Sequence, residues 1–188
     1  MTQLFIVRHG ETEWSRSGQH TSVTDLPLTE KGEQQARALL GHLDPANFQL
    51  VLSSPRRRAV HTAELAGFTD DHAPEVDEDL VEWFYGDYEG RTSLQIRESD
   101  QGWTVWSHPT PGGETADEVG ARLDRVVARV TDQPGRTLVF GHGHALRVLT
   151  ARWLGLPVPD GRLFRLDTAT VSVLGFERDS RVILRWNA

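Results

Sequence analysis

The sequence has no cysteine, which excludes disulfides and thiolate metal sites. Basic charge is scarce as well: 20 Lys and Arg stand against 27 Asp and Glu, for a formal net charge of -7. The bases gather into no block, so a nucleic-acid partner is not expected. No apolar run approaches the length of a membrane span, and Met1-Thr2-Gln3 enters a short apolar stretch without a basic leader, so no membrane partner is expected and a cytoplasmic location is. Internal repeats and low-complexity tracts are missing too. What is present is ordinary for a globular chain: 188 residues, 38% hydrophobic and 25% charged, a length that fits one domain over 1–188.

Leu4 to Val7 is a continuous apolar run ending at Arg8-His9-Gly10, the pattern of a buried parallel strand with chemistry at its carboxyl end. Leu50 to Ser53 and Thr137 to Phe140 repeat it. Between them, helices are expected from Thr29 as N-cap to about His42, with Ala36, Leu39, Leu40 and Leu43 on one face, from Pro55 to about Ala66, from Glu114 to Val130, and from Ala145 to Leu154. Val171 to Phe176 and Val182 to Trp186 read as closing strands. The alternation predicts a three-layer α/β/α sandwich with a mostly parallel sheet, whose ligand binds at the carboxyl ends of the strands. Pro109 to Gly113 reads as a loop able to serve as a lid.

Arg8-His9-Gly10-Glu11-Thr12 puts an imidazole beside a guanidinium, with a glycine that permits close backbone approach. Alone it is a weak signal, because Arg8 and Glu11 can equally form a surface pair. Three further segments give it weight: Ser53-Ser54-Pro55-Arg56-Arg57-Arg58-Ala59, Glu82-Trp83-Phe84-Tyr85-Gly86 and Gly141-His142-Gly143-His144.

With these four motifs in this order, from Leu4 to about Phe176, the chain resembles the histidine phosphatase, or phosphoglycerate mutase-like, superfamily. Within it, the segments Ser17 to Thr21, Asp25 to Thr29, Glu82 to Gly90 and Gly141 to Arg147 look most like broad-specificity acid phosphatases and members of the sedoheptulose-bisphosphatase type. The resemblance implies the phosphoglycerate mutase-like fold. It also implies a phosphomonoesterase acting on small phosphorylated metabolites, such as sugar phosphates, without metal or cofactor. His9 matches the nucleophile that becomes phosphohistidine, Arg8 and Arg58 the phosphate-clamping arginines, His142 the second histidine of the pocket, and Glu82 the general acid and base. Loose, highly charged phosphoryl-transfer transition states call for such fixed cations and in-line placement. An attacking imidazole needs its other nitrogen held as a donor, here by a carbonyl near Gly10 or Glu11.

Ser15, Thr21, Gly143 and His144 are secondary candidates for phosphate or substrate contact, with a turn or cap role as the other reading of Ser15 and Thr21. His20, His61, His72 and His108 show no metal-ligand spacing and read mostly as surface or loop histidines. Trp83, Trp103 and Trp106 read as core or lid packing. Substrate recognition is expected from the loops 15–24 and 90–113. Mutases of the superfamily usually carry Asn at Ser15, Lys near Ser93 and a basic pair in an inserted segment; this chain has none of these, which favours hydrolysis. Phosphoglycerate mutation and non-catalytic binding of a phosphorylated ligand are the alternatives. Family members are often homodimers.

Overall fold

The computed structural model describes residues 2–188. Six strands form one mixed sheet: β1 (Gln3–Arg8), β2 (Leu50–Ser53), β3 (Glu75–Val76), β4 (Arg136–Gly141), β5 (Val171–Glu177) and β6 (Ser180–Arg185), in the order β3-β2-β4-β1-β5-β6. The first four run parallel, while β5 is antiparallel to β1 and β6 closes the edge as a hairpin. Six helices accompany them: α1 (Glu13–Ser17), α2 (Glu30–Ala38), α3 (Arg57–Leu65), α4 (Ser93–Arg97), α5 (Ala116–Thr131) and α6 (Gly143–Trp153).

Both sheet faces are covered, as the unbroken apolar strands require. Leu4, Ile6, Leu52 and Val139 pack with Val119, Leu123, Val126 and Val130 of α5 and with Leu146, Leu149 and Trp153 of α6. The alternate residues Val7, Leu138 and Phe140 face Ala63 of α3 together with Leu39, Ala66 and Phe68. Each fully buried Leu, Ile, Val or Phe among them contributes roughly 1.5–3 kcal/mol. Trp83 and Trp103 belong to the core, with Trp106 packed against it.

Element boundaries differ from the sequence reading in physically traceable ways. α2 stops at Ala38 rather than near His42, with Gly41 in a left-handed turn at φ 87°, and Leu40 is 61% exposed instead of facing the core. α1 and α4, five residues each, have no apolar period to display and are marked only by capping boxes, Thr12 with Ser15 and Thr92 with Gln95. β3 is two exposed residues long and has no pattern to read. Pro109 to Gly113 is no lid over the strand ends. It clamps the segment after Glu82, where Asp87 N–H donates to Pro111 O at 2.9 Å, and position 86 requires glycine both for its φ of 48° and because any Cβ there would strike the 111–113 backbone. Among the described residues no helix is long and apolar enough to cross a membrane.

Candidate active site

Sheet register brings the motifs together. Arg8 pairs with Gly141 across β1 and β4, and Ser53 pairs with Phe140 across β2 and β4. His9, His142 and Ser54 therefore emerge side by side, with His9 N–H donating to Gly141 O at 3.0 Å and Ser54 N–H to Phe140 O at 3.0 Å. The imidazoles of His9 and His142 meet edge to face at 5.2 Å between centroids.

His9 is buried, and its Nδ1 lies 2.8 Å from Gly10 O. A carbonyl only accepts, so Nδ1 carries the hydrogen and Nε2 keeps its lone pair. Burial first, then the charges of Arg58 and Arg8, holds His9 well below the ordinary histidine pKa of 6.5. The ring's position is set from behind: Gly10 N–H donates to Thr62 Oγ1 at 3.0 Å, and a Cβ on Gly10 would strike the carbonyl of Gly32 in α2. The close approach that Gly10 permits is thus to a helix rather than to a ligand. Glu11 is turned away, to Lys31 at 3.0 Å, so no Arg8–Glu11 surface pair forms.

Arg8 is anchored by one bond, Nη1 to Leu166 O at 2.7 Å, and its Nε is buried without a protein partner. Buried donors of this kind seldom stay unsatisfied, so the Arg8 fork is ready for an anion. Gly143 makes room for it: a Cβ there would stand 3.3 Å from Arg8 Nε.

The carboxyl of Glu82 accepts three backbone N–H bonds, Trp83 at 2.9 Å, His144 at 3.0 Å and Ala145 at 2.7 Å. Two of these donors are the first-turn amides of α6, which otherwise lack acceptors. Arg122 fixes the segment that delivers Glu82. Its Nη1 donates to Asp79 O at 2.7 Å and Val81 O at 2.8 Å, while its Nε pairs with Glu114 at 2.8 Å.

Arg8, His9, Glu82, Gly143, His144, Ser15 and Thr21 line one cavity of about 170 Å³. Arg58 and His142 are fully buried and do not line it. Arg58 donates through Nη1 to Thr24 O at 3.0 Å, through Nη2 to Thr21 O at 3.3 Å and Ser22 O at 3.2 Å, and through Nε to His142 Nδ1 at 3.2 Å. In this state Arg58 grips the 21–24 loop and His142 rather than facing the cavity. His142 passes its own N–H on to Ser54 Oγ at 2.7 Å.

The secondary candidates divide. Ser15 is committed to the α1 capping box, its Oγ accepting from Thr12 N–H at 2.8 Å, and Thr21 Oγ1 donates to Gln19 O at 3.3 Å. Their wall contribution is therefore local structure presented to the cavity. His144 Nδ1 lies 2.6 Å from Tyr85 OH, and burial keeps that phenol protonated by raising its pKa well above 10.0. His20, expected to be an ordinary loop histidine, is instead buried on the cavity wall, with Nε2 3.1 Å from Ser93 Oγ and burial pulling its pKa to about 4. Tyr85 and Arg147, both inside quoted motifs, also line the cavity and were not singled out from sequence. Arg147 had a visible signal, its place one helical turn after Gly143. Residues of the 15–24 segment line the cavity, whereas no cavity-lining residue lies between Gly90 and Gly113. Among the described residues no three His, Asp or Glu side chains gather as a metal ion would need.

The chain is similar to known proteins over nearly its whole length. The family described as histidine phosphatase superfamily (branch 1) matches residues 4–188. An acid phosphatase of Mycobacterium tuberculosis is 43% identical over 184 residues, covering 95% of this chain and 89% of that one. Sedoheptulose 1,7-bisphosphatase of Saccharomyces cerevisiae is 40% identical over 186 residues, covering 83% of this chain and 69% of that one. A solved Mycobacterium tuberculosis structure superposes with a TM-score of 0.93 at 39% identity, over 99% of this chain and 97% of that one.

Proposed function

The chain belongs to the histidine phosphatase superfamily, and from that premise we propose that it is a metal-independent phosphomonoesterase that hydrolyses small phosphorylated metabolites through a phosphohistidine on His9. One observation carries the reading most directly: Gly10 O takes the Nδ1 hydrogen, leaving an unprotonated Nε2 at a cavity that also holds the unspent Nε of Arg8 and the carboxyl of Glu82. The names of the acid phosphatase and the sedoheptulose bisphosphatase support hydrolysis of this kind of substrate.

The first step forms a bond from His9 Nε2 to phosphorus and breaks the P–O bond to the leaving group, which takes a proton from Glu82. In the second, water loses a proton to Glu82 as its oxygen bonds phosphorus, and the P–N electron pair returns to the imidazole. Arg8, and Arg58 behind it, offset the charge on the equatorial oxygens. Arg58 reaches them by exchanging a bond to the 21–24 loop for one to phosphate.

Turnover of p-nitrophenyl phosphate in excess EDTA tests the reading, and release of inorganic phosphate is the expected result. Tight phosphate binding without turnover would mark a binding protein instead. Interconversion of 2- and 3-phosphoglycerate, given a bisphosphate primer, faster than phosphate release would mark a mutase.

A further inference from the structure

Glu82 reaches the cavity on a stretch of chain with no hydrogen-bond ladder of its own. Residues Glu82 to Tyr85 lie in neither helix nor strand, between 3-10 turns at Glu78–Leu80 and Gly86–Tyr88. Backbone of this kind takes its position from whatever partners its N–H and C=O groups find. Here partners on both sides of Glu82 come from one largely buried ion pair that does not line the cavity, Glu114 with Arg122.

Both residues belong to the start of α5: Glu114 precedes the Thr115 N-cap, and Arg122 stands about two turns further on. The guanidinium forks onto the carboxylate, Nε to Oε1 at 2.8 Å and Nη2 to Oε2 at 3.0 Å. Ahead of Glu82, the remaining Nη1 donates to the carbonyls of Asp79 and Val81, at 2.7 and 2.8 Å. Behind it, Phe84 N–H donates to Glu114 Oε2, Glu114 N–H to Phe84 O, and Trp83 Nε1–H to Glu114 O, each at 2.9 Å. None of these bonds is made to Glu82 itself, so they bracket it without touching it.

A buried ion pair adds little net stability, because desolvation offsets most of the Coulomb gain. What the fork supplies is direction: a planar guanidinium locked to a carboxylate leaves one place for the backbone held between them. The Glu82 carboxyl is aimed in turn by the N–H groups of Trp83, His144 and Ala145. A shift of its backbone would lengthen those bonds and its reach to the leaving-group oxygen together.

We propose that Glu114 and Arg122 are positioning residues for proton transfer, holding the Glu82 carboxyl at the leaving-group oxygen through the backbone of residues 79–84. The inference rests on the hydrolase reading above and deepens it, because it extends the proton-transfer machinery to a pair outside the cavity.

Glu114→Gln keeps the bonds made by the backbone of residue 114 and removes the charge and one acceptor. It should slow glycerol 3-phosphate on the order of tenfold or more and p-nitrophenyl phosphate by no more than about twofold, because only the alkoxide needs a positioned proton. The quantity read is the slope of log kcat/KM against leaving-group pKa, which should steepen. Inhibition by inorganic phosphate should stay within about twofold of wild type, as it does when the surroundings of Arg8 and His9 are undisturbed. In a Glu82→Gln background the same substitution should cost the alkyl ester no more than about twofold further, since the group it positions is already gone. Glu114→Asp keeps the charge but is too short to span both Arg122 and the Phe84 N–H, so its slope should lie between the two; it carries the test alone if the Gln variant does not melt cooperatively. Losses equal across leaving groups, or losses that add in full to those of Glu82→Gln, overturn the proposal and leave the pair a support of the fold. Failure of the wild-type protein to hydrolyse p-nitrophenyl phosphate overturns the hydrolase reading itself, and the proposal with it.

Discussion

Arg58 Nε donates to His142 Nδ1 at 3.2 Å, and that single bond decides which way the second histidine can donate. With Nδ1 occupied as an acceptor, His142 carries its hydrogen on Nε2 and gives it to Ser54 Oγ. Burial, then the charge of Arg58, keeps the ring neutral by holding its pKa well below 6.5. The same guanidinium ties down three carbonyls of the 21–24 loop. Arg58 thus organises both the loop that walls the cavity and the imidazole that packs against His9.

Arg58→Met should therefore lower stability as well as rate. Three carbonyls and an imidazole nitrogen lose their donor in a buried place, a loss of roughly 3 kcal/mol or more. Urea unfolding checks it: a midpoint unchanged from wild type would mean that Arg58 has no structural share and acts on phosphate alone.

His9→Ala should abolish phosphate labelling of the protein from a radiolabelled substrate. The wild-type label should survive alkali and be lost in acid, as a phosphoramidate is. Labelling that persists in the variant would identify another nucleophile.

Glu82→Gln should separate substrates by leaving group. Alkyl phosphates, which need a proton, should slow on the order of a hundredfold or more, and p-nitrophenyl phosphate much less. The measurement is the slope of log kcat/KM against leaving-group pKa, which should steepen. Parallel losses across the series would assign Glu82 to binding rather than proton transfer. Both carboxylate oxygens accept N–H bonds, so an amide NH₂ in place of one should also cost stability, about 1–3 kcal/mol.

Stability should fall as pH drops below 6.5. His20 titrates at about 4 when folded against 6.5 otherwise, so between these values the unfolded chain binds more protons and folding weakens with acid. The difference is fully expressed below the folded value and amounts to roughly 3 kcal/mol. His9, His142 and His144, all held below 6.5, act in the same direction. Melting temperatures from pH 7 to pH 4 give the slope, and His20→Gln, which keeps a hydrogen-bonding group toward Ser93, should make it shallower. An identical slope in the variant would contradict a neutral buried His20.

Gly143→Ala should reduce kcat by about tenfold or more while leaving the melting temperature nearly unchanged. The added methyl meets Arg8 at Nε and Cζ, 3.3 and 3.4 Å away, and displaces the fork without disturbing the helix. A variant with wild-type kcat would show that Arg8 tolerates the shift.

The strand-end motifs could be read directly because short apolar runs ending in polar residues have one common use in an α/β sheet, and register then places all their ends together. Five-residue helices such as α1 and α4 could not be read so directly, since they bury too little to leave a period. The direction of a side chain is harder still. Nothing in Arg56-Arg57-Arg58 says that the third guanidinium turns to the carbonyls of Thr21, Ser22 and Thr24, because those partners lie more than thirty positions away.

By itself, then, the sequence marked the longer strands and helices in order and the motifs that carry His9, Arg8 and Glu82, because each motif is a local run of residues, while the roles proposed for these three came from the family resemblance. Tertiary structure alone decided that Arg58 faces inward, that His20 is neutral and buried, and that Arg147 looks into the cavity. Those depend on which distant carbonyls, rings and charges the packed chain sets around each group, and burial converts that company into charge state and direction.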